Sequence, residues 1–102
     1  MEYVSSAQVA QLQLEGKKIL VQYTASWCGQ PCEALTPRLS NLSNQYSDVT
    51  FVKVDLEQNS NVVSELGIDI LPTVMIYNGQ TLINRSVGAN KDGVYCKILD
   101  NL

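Results

Sequence analysis

Apolar residues follow two rhythms along the chain, and each change of rhythm marks the edge of an element. Residues 18–23 are continuous and mostly apolar, as suits a central strand covered on both faces, with Gln22 the exception inside it. Leu35, Leu39, Leu42 and Tyr46 then recur at intervals of four, three and four, which predicts a helix with one buried stripe. Pro37 falls within that helix and is expected to kink it. A strand rhythm returns over 49–56, with Val52, Val54 and Leu56 on one face and Phe51, Lys53 and Asp55 on the other.

Weaker signals fill the intervals. Ser5 with Gln8 forms a capping-box pattern ahead of Val9, Ala10, Leu12 and Leu14, so a short helix ending at Gly16 is expected; the alternative is a loop with scattered apolar residues. Residues 60–66 suggest another helix, closed by Gly67. Between the runs 73–77 and 80–87, Asn78-Gly79 suits a two-residue type I′ turn, which predicts an antiparallel hairpin. Val94, Tyr95, Ile98, Leu99 and Leu102 define a last amphipathic helix, and a short strand at 2–4 completes the series.

A crossover joining the two long strands through a helix is right-handed and parallel, and the hairpin adds antiparallel strands to the same sheet. Helices then cover both faces. The expected fold class is α/β: a three-layer α/β/α sandwich around a mixed sheet of four to five strands, with about four helices.

Composition narrows the function classes. At 102 residues with 45% apolar content, residues 1–102 are expected to form a single domain with a core that needs no disulfide staple or structural metal. The net charge is −3 and the seven lysines and arginines are spread singly, so no basic stripe exists for nucleic acid. No apolar run approaches the ~20 residues of a membrane span, and Met1-Glu2 opens no cationic leader. The reading is a soluble, unexported, cytoplasmic protein without a membrane partner. In such a reducing compartment an odd count of three cysteines points to catalytic or incidental thiols. The absence of histidine removes cysteine–histidine protease chemistry and the commoner zinc sites, so no metal is expected.

The candidate chemistry lies in Trp27-Cys28-Gly29-Gln30-Pro31-Cys32, directly after the first long strand and at the start of the helix. Unpaired N–H groups of a helix's first turn stabilise a thiolate placed there, and a second thiol nearby can release what the first captures. Cys28, placed first, is expected to be the exposed nucleophile. Cys32 lies roughly 60° from the centre of the apolar stripe by helical period, half shielded, and would resolve the mixed disulfide. Two structural core cysteines, or half of a metal site lacking its other ligands, are the competing readings.

Taken together, Ile19-Leu20-Val21, Trp27-Cys28-Gly29, Pro31-Cys32, Pro37, Lys53, Pro72-Thr73 and Val87-Gly88-Ala89 resemble the thioredoxin family, and the resemblance covers nearly the whole chain. It implies a thiol–disulfide oxidoreductase that reduces protein disulfides through a Cys28/Cys32 cycle. It further implies a thioredoxin reductase as electron donor, disulfide-containing proteins as substrates, a monomer, and no cofactor beyond the redox-active disulfide. Pro72 would carry the family's cis peptide bond, leaving the backbone of Leu71 free to pair with an extended substrate beside Thr73. Trp27, Gly29, Gln30, Leu71 and Gly88 would form a shallow apolar docking surface. Gly88 admits a second reading as a simple strand-end turn. An oxidising or isomerase-like member, and a binding module that lost turnover, are the alternatives.

Three departures from the family pattern matter. Gln30 lengthens the interval between the cysteines to three residues. In an ideal helix Cα atoms four apart stand roughly 6.2 Å from one another, inside the ~4.4–6.8 Å that a disulfide tolerates. Pro31, in the first turn, is no obstacle to closure. The larger ring is expected to shift the reduction potential in a direction the sequence leaves open. Gln22 replaces the family's buried aspartate, and an amide can hydrogen-bond or hold a water but takes no proton as a carboxylate does. Alternatively Gln22 merely packs, its amide satisfied by backbone. Cys96 belongs to no family motif and is expected to face solvent or a flank. Lys53, alternating with apolar neighbours, is either paired with a carboxylate or solvated.

Overall fold

Strand β2 (Lys18–Thr24) lies between two neighbours of opposite direction, β3 (Val49–Asp55) parallel to it and β4 (Thr73–Asn78) antiparallel. The computed structural model describes residues 1–102. β1 (Glu2–Tyr3) adds a parallel edge beside β3 and β5 (Thr81–Val87) an antiparallel edge beside β4, giving the order β1-β3-β2-β4-β5. Four helices flank this mixed five-stranded sheet: α1 (Ser6–Leu14), α2 (Gln30–Ser43), α3 (Asn61–Leu66) and α4 (Asp92–Leu99).

Alternation of side chains along the strands sorts the core into two halves. Ile19, Val21, Tyr23, Val52 and Val54 pack with Val9 of α1 and Val62 of α3. Leu20, Phe51, Val74 and Ile76 pack on the opposite face with Leu35, Leu39 and Leu42 of α2 and with Tyr95 and Leu99 of α4. The face assignment expected for residues 49–56 holds, Leu56 being buried just beyond the end of β3. The three-layer α/β/α expectation holds as well. Helix α1 starts on the expected capping box: the Ser5 hydroxyl accepts from the Gln8 N–H at 3.1 Å, and Gln8 Oε1 accepts from the Ser5 N–H at 2.7 Å. Helix α2 runs uninterrupted through Pro37.

The hairpin forms with its turn one residue later than expected. Asn78 stays in β4, paired with Lys18 on one side and Thr81 on the other, so the two-residue loop is Gly79-Gln80. Only Gly79 has positive φ there, at 59°, the pattern of a type II′ turn and not of type I′. The cause is a long-range bond: the Gly79 N–H donates to the Lys17 carbonyl at 2.8 Å, extending the β2–β4 pairing past the position where Asn-Gly alone would have turned. Cys96, on α4, is half-buried and packs at the flank of the core half that holds α2 and α4, the second of the two placements expected for it.

Candidate active site

β2 delivers the chain to one end of the sheet, where Ala25 is extended and Ser26–Cys28 forms a single 3-10 turn closed by the Cys28 N–H donating to the Ala25 carbonyl at 3.0 Å. Gly29 follows with φ 70° and ψ −140°, and α2 begins only at Gln30, its first bond running from the Glu33 N–H to the Gly29 carbonyl at 3.1 Å. Cys28 therefore precedes the helix by two residues and does not open it, as the sequence had suggested. The five-residue stretch is accommodated by this reversed glycine. A Cβ at Gly29 would meet no atom within 4 Å, so the backbone conformation alone selects glycine.

Cys28 and Cys32 are bridged, with Cα atoms 5.9 Å apart and sulfurs at 2.04 Å. The lengthened interval closes, close to the separation of an ideal helix. The two sulfurs differ in access. Cys28 is half-buried, whereas Cys32 is only 3% exposed, more deeply covered than the expected half shielding. The reason lies beneath it. Gln22, itself 0% exposed, donates from Nε2 to the Cys32 carbonyl at 3.3 Å. The Thr36 hydroxyl stands 3.1 Å from both Gln22 Oε1 and the Cys32 carbonyl. Gln22 is thus a packed amide with a backbone partner on one side, the second cysteine itself, and the Thr36 hydroxyl on the other. No buried side-chain polar atom is left without a partner.

Trp27 stands 68% exposed beside Cys28. Because Tyr23 pairs with Thr73 and Thr73 with Val87, the loop before β4 and the residue after β5 lie at the same end of the sheet as the cysteines. The Leu71–Pro72 bond is cis, as the resemblance implied. Neither the N–H nor the C=O of Leu71 makes a hydrogen bond, while the buried Thr73 donates from Oγ1 to the Ile70 carbonyl at 2.6 Å. Gly88, at φ 82°, donates its N–H to the Pro72 carbonyl at 2.7 Å and so ties the end of β5 to that loop.

Lys53 has no carboxylate partner. Its ammonium lies 4.0 Å from the centroid of the Tyr3 ring, brought there by the β1–β3 register in which Tyr3 pairs with Lys53. No group of three or more His, Cys, Asp or Glu is arranged to hold a metal ion.

Glu57 and Ser26 carried no sequence signal, being 31 residues apart with no shared motif. Glu57 Oε1 accepts both the Ser26 N–H, at 2.7 Å, and the Ser26 hydroxyl, clamping the turn that carries Trp27 and Cys28. The Ser26 hydroxyl, and then its N–H, hold the Glu57 carboxyl below the ordinary glutamate range. A lowered folded value means the clamp is fully present above the ordinary glutamate value of about 4.3 and is lost as pH falls through the lower folded one. Trp27 fluorescence should therefore report an acid transition below about pH 4.3 that Glu57→Ala lacks; identical acid titrations of the two proteins would rule the clamp out.

A thioredoxin family model matches residues 3–100. Thioredoxin-1 of Schizosaccharomyces pombe is 36% identical over 97 residues, covering 95% of this chain and 93% of its own. The X-ray structure of Fasciola hepatica thioredoxin superposes with a TM-score of 0.86 at 28% identity, with 100% of both chains covered. Oxidised mitochondrial thioredoxin 3 from Saccharomyces cerevisiae superposes at 0.83 with 28% identity, over 98% of this chain and 93% of its own. Agreement of this extent, in residues as well as backbone, means that the chain belongs to the thioredoxin family, and its bridged cysteine pair makes it a thiol–disulfide oxidoreductase.

Proposed function

We propose that residues 1–102 act as one domain that reduces protein disulfides by a two-cysteine cycle. In the reduced form the Cys28 thiolate attacks one sulfur of a target disulfide, breaking that bond and releasing the first target thiol. Cys32 then gives up its proton, attacks Cys28, and expels the second target thiol as the internal bridge forms. The carrying observation is the unequal access of the two sulfurs: Cys28 is half-buried while Cys32 is 3% exposed. Only the first can meet a foreign disulfide directly.

The docking surface is built from Trp27, Gly29, Gln30 and Gly88 around the unpaired backbone of Leu71, which offers one donor and one acceptor to an extended substrate segment. Pro72 and Thr73 hold that backbone in place, and Pro31 lies in the first turn of α2. A thioredoxin reductase serves as the electron donor, and the protein works as a monomer in the cytoplasm, with the disulfide itself as its only redox group. No helix is long and apolar enough to cross a membrane. The test is multiple-turnover reduction of a disulfide-bonded protein, with dithiothreitol recycling the bridge. Turnover well above the rate of dithiothreitol alone is expected, and its absence would refute the reading.

Gln22 limits the second half of the cycle, because an amide beneath Cys32 takes no proton. Gln22→Asp should resolve mixed disulfides severalfold faster. It should also lower stability by about 1–3 kcal/mol, since a carboxyl group replaces the amide at a fully buried position. A resolution rate unchanged or slower in the variant would contradict this assignment.

A further inference from the structure

Resolution requires Cys32 to lose a proton, yet the amide against it is no base and the sulfur is nearly closed to bulk water. One opening is lined by Cys32. A partly open cleft of about 380 Å³ lies between the sheet and the first turns of α2, and Cys32, Thr36 and Glu33 line it from the helix. Lys53 and Asp55 line it from β3, and Tyr3 from β1. The strand register explains why: Gln22 pairs with Lys53 and Thr24 with Asp55, so all four lie on the sheet face that carries α2.

The ionisable groups facing this cleft are Tyr3, Glu33, Lys53 and Asp55, with none from β2. An ammonium and a phenol accept no proton at neutral pH, which leaves the two carboxylates. Glu33 is exposed, and its carboxylate makes no hydrogen bond that would hold it in the cleft. Asp55 is half-buried and fixed, its Oδ1 accepting the Glu57 N–H at 2.9 Å, while its second oxygen makes no hydrogen bond. We propose that Asp55, acting through water in this cleft, takes the Cys32 proton during resolution. The inference rests on the two-cysteine cycle proposed above.

The Cys32 proton passes through water to the Asp55 carboxylate. The Cys32 thiolate attacks Cys28 Sγ, forming the Cys28–Cys32 bond and breaking the bond from Cys28 to the target sulfur. The target sulfur leaves as a thiolate. The cysteine pair is oxidised by two electrons and the target disulfide has been reduced by two.

The test loads Cys28 with thionitrobenzoate and follows release of that chromophore as Cys32 attacks. Release by the wild-type protein, and none by Cys32→Ser, establishes the cycle itself; failure at this stage strikes the two-cysteine reading and not the role of Asp55. Asp55→Asn keeps an acceptor for the Glu57 N–H, so the turn is retained. Its release rate should fall about tenfold or more at neutral pH, and the deficit should narrow as pH rises, because hydroxide then takes the proton without help. Asp55→Glu should recover part of the rate, and Gln22→Asp placed in the Asp55→Asn background should restore it. Asp55→Asn matching wild type at every pH would overturn the proposal. So would a loss that persists unchanged to pH 9, or an equal or larger loss in Glu33→Gln.

Discussion

Cys28→Ser reduces disulfide turnover to the background of the added reductant. A serine hydroxyl is not ionised at neutral pH and forms no bond to sulfur that a second thiol can break, so the capture step disappears entirely. Cys32 cannot substitute for it, because at 3% exposure its sulfur is out of reach of a protein disulfide. The complementary Cys32→Ser protein should capture one target and stall as a stable mixed disulfide, visible as a covalent adduct that added thiol dissolves. Gel analysis without reductant, alongside a turnover assay, checks both outcomes. Turnover by Cys28→Ser above background would assign the attack to Cys32 or Cys96 and overturn the mechanism.

Leu39→Ala should be the most damaging single substitution away from the cysteines. Leu39 is fully buried where α2 meets Leu20, Val74, Ile76 and Tyr95. Truncation removes three carbons from a site that relaxes only in part, at a cost of about 2–5 kcal/mol. Domains of this size are stable by about 5–15 kcal/mol in all, so the melting temperature should fall by about 10 °C or more. The same change loosens the helix whose first turns hold Cys32 over Gln22. A melting temperature within about 2 °C of wild type, against that expectation, would show that this half of the core does not anchor the redox helix.

What was legible in the sequence was whatever depends on chemistry or periodicity held within a short stretch. The alternation of Val52, Val54 and Leu56 against Phe51, Lys53 and Asp55 is such a pattern, and the structure divides these residues between opposite faces as expected. The Ser5–Gln8 capping box is closed within four residues, and both of its bonds form. The cysteine pair was visible because two thiols, a tryptophan, a glycine and a proline at a strand-to-helix junction have a joint chemical meaning.

What was not legible depends on partners distant in the chain. Asn78-Gly79 has the composition of a type I′ turn, but a bond from Gly79 to Lys17, 62 residues away, holds Asn78 in the strand and moves the turn onward. Lys53 met the Tyr3 ring and not a carboxylate, because an edge strand only two residues long sets its neighbour. The Ser26–Glu57 clamp and the bond from the Thr36 hydroxyl to Gln22 follow from the same cause. Even the helix start was shifted, since Gly29 takes a backbone conformation that a reading by ideal helical geometry cannot supply.

Cys28 and Cys32, with three residues between them, form a working redox couple. A redox titration in defined thiol buffer, with free thiols alkylated and counted by mass, measures this directly. One two-electron transition is expected, between a dithiol and a bridged form linking Cys28 to Cys32, with Cys96 alkylated throughout. Cysteines 28 and 32 remaining unlinked across the whole range, or a bridge that instead captures Cys96, would contradict it.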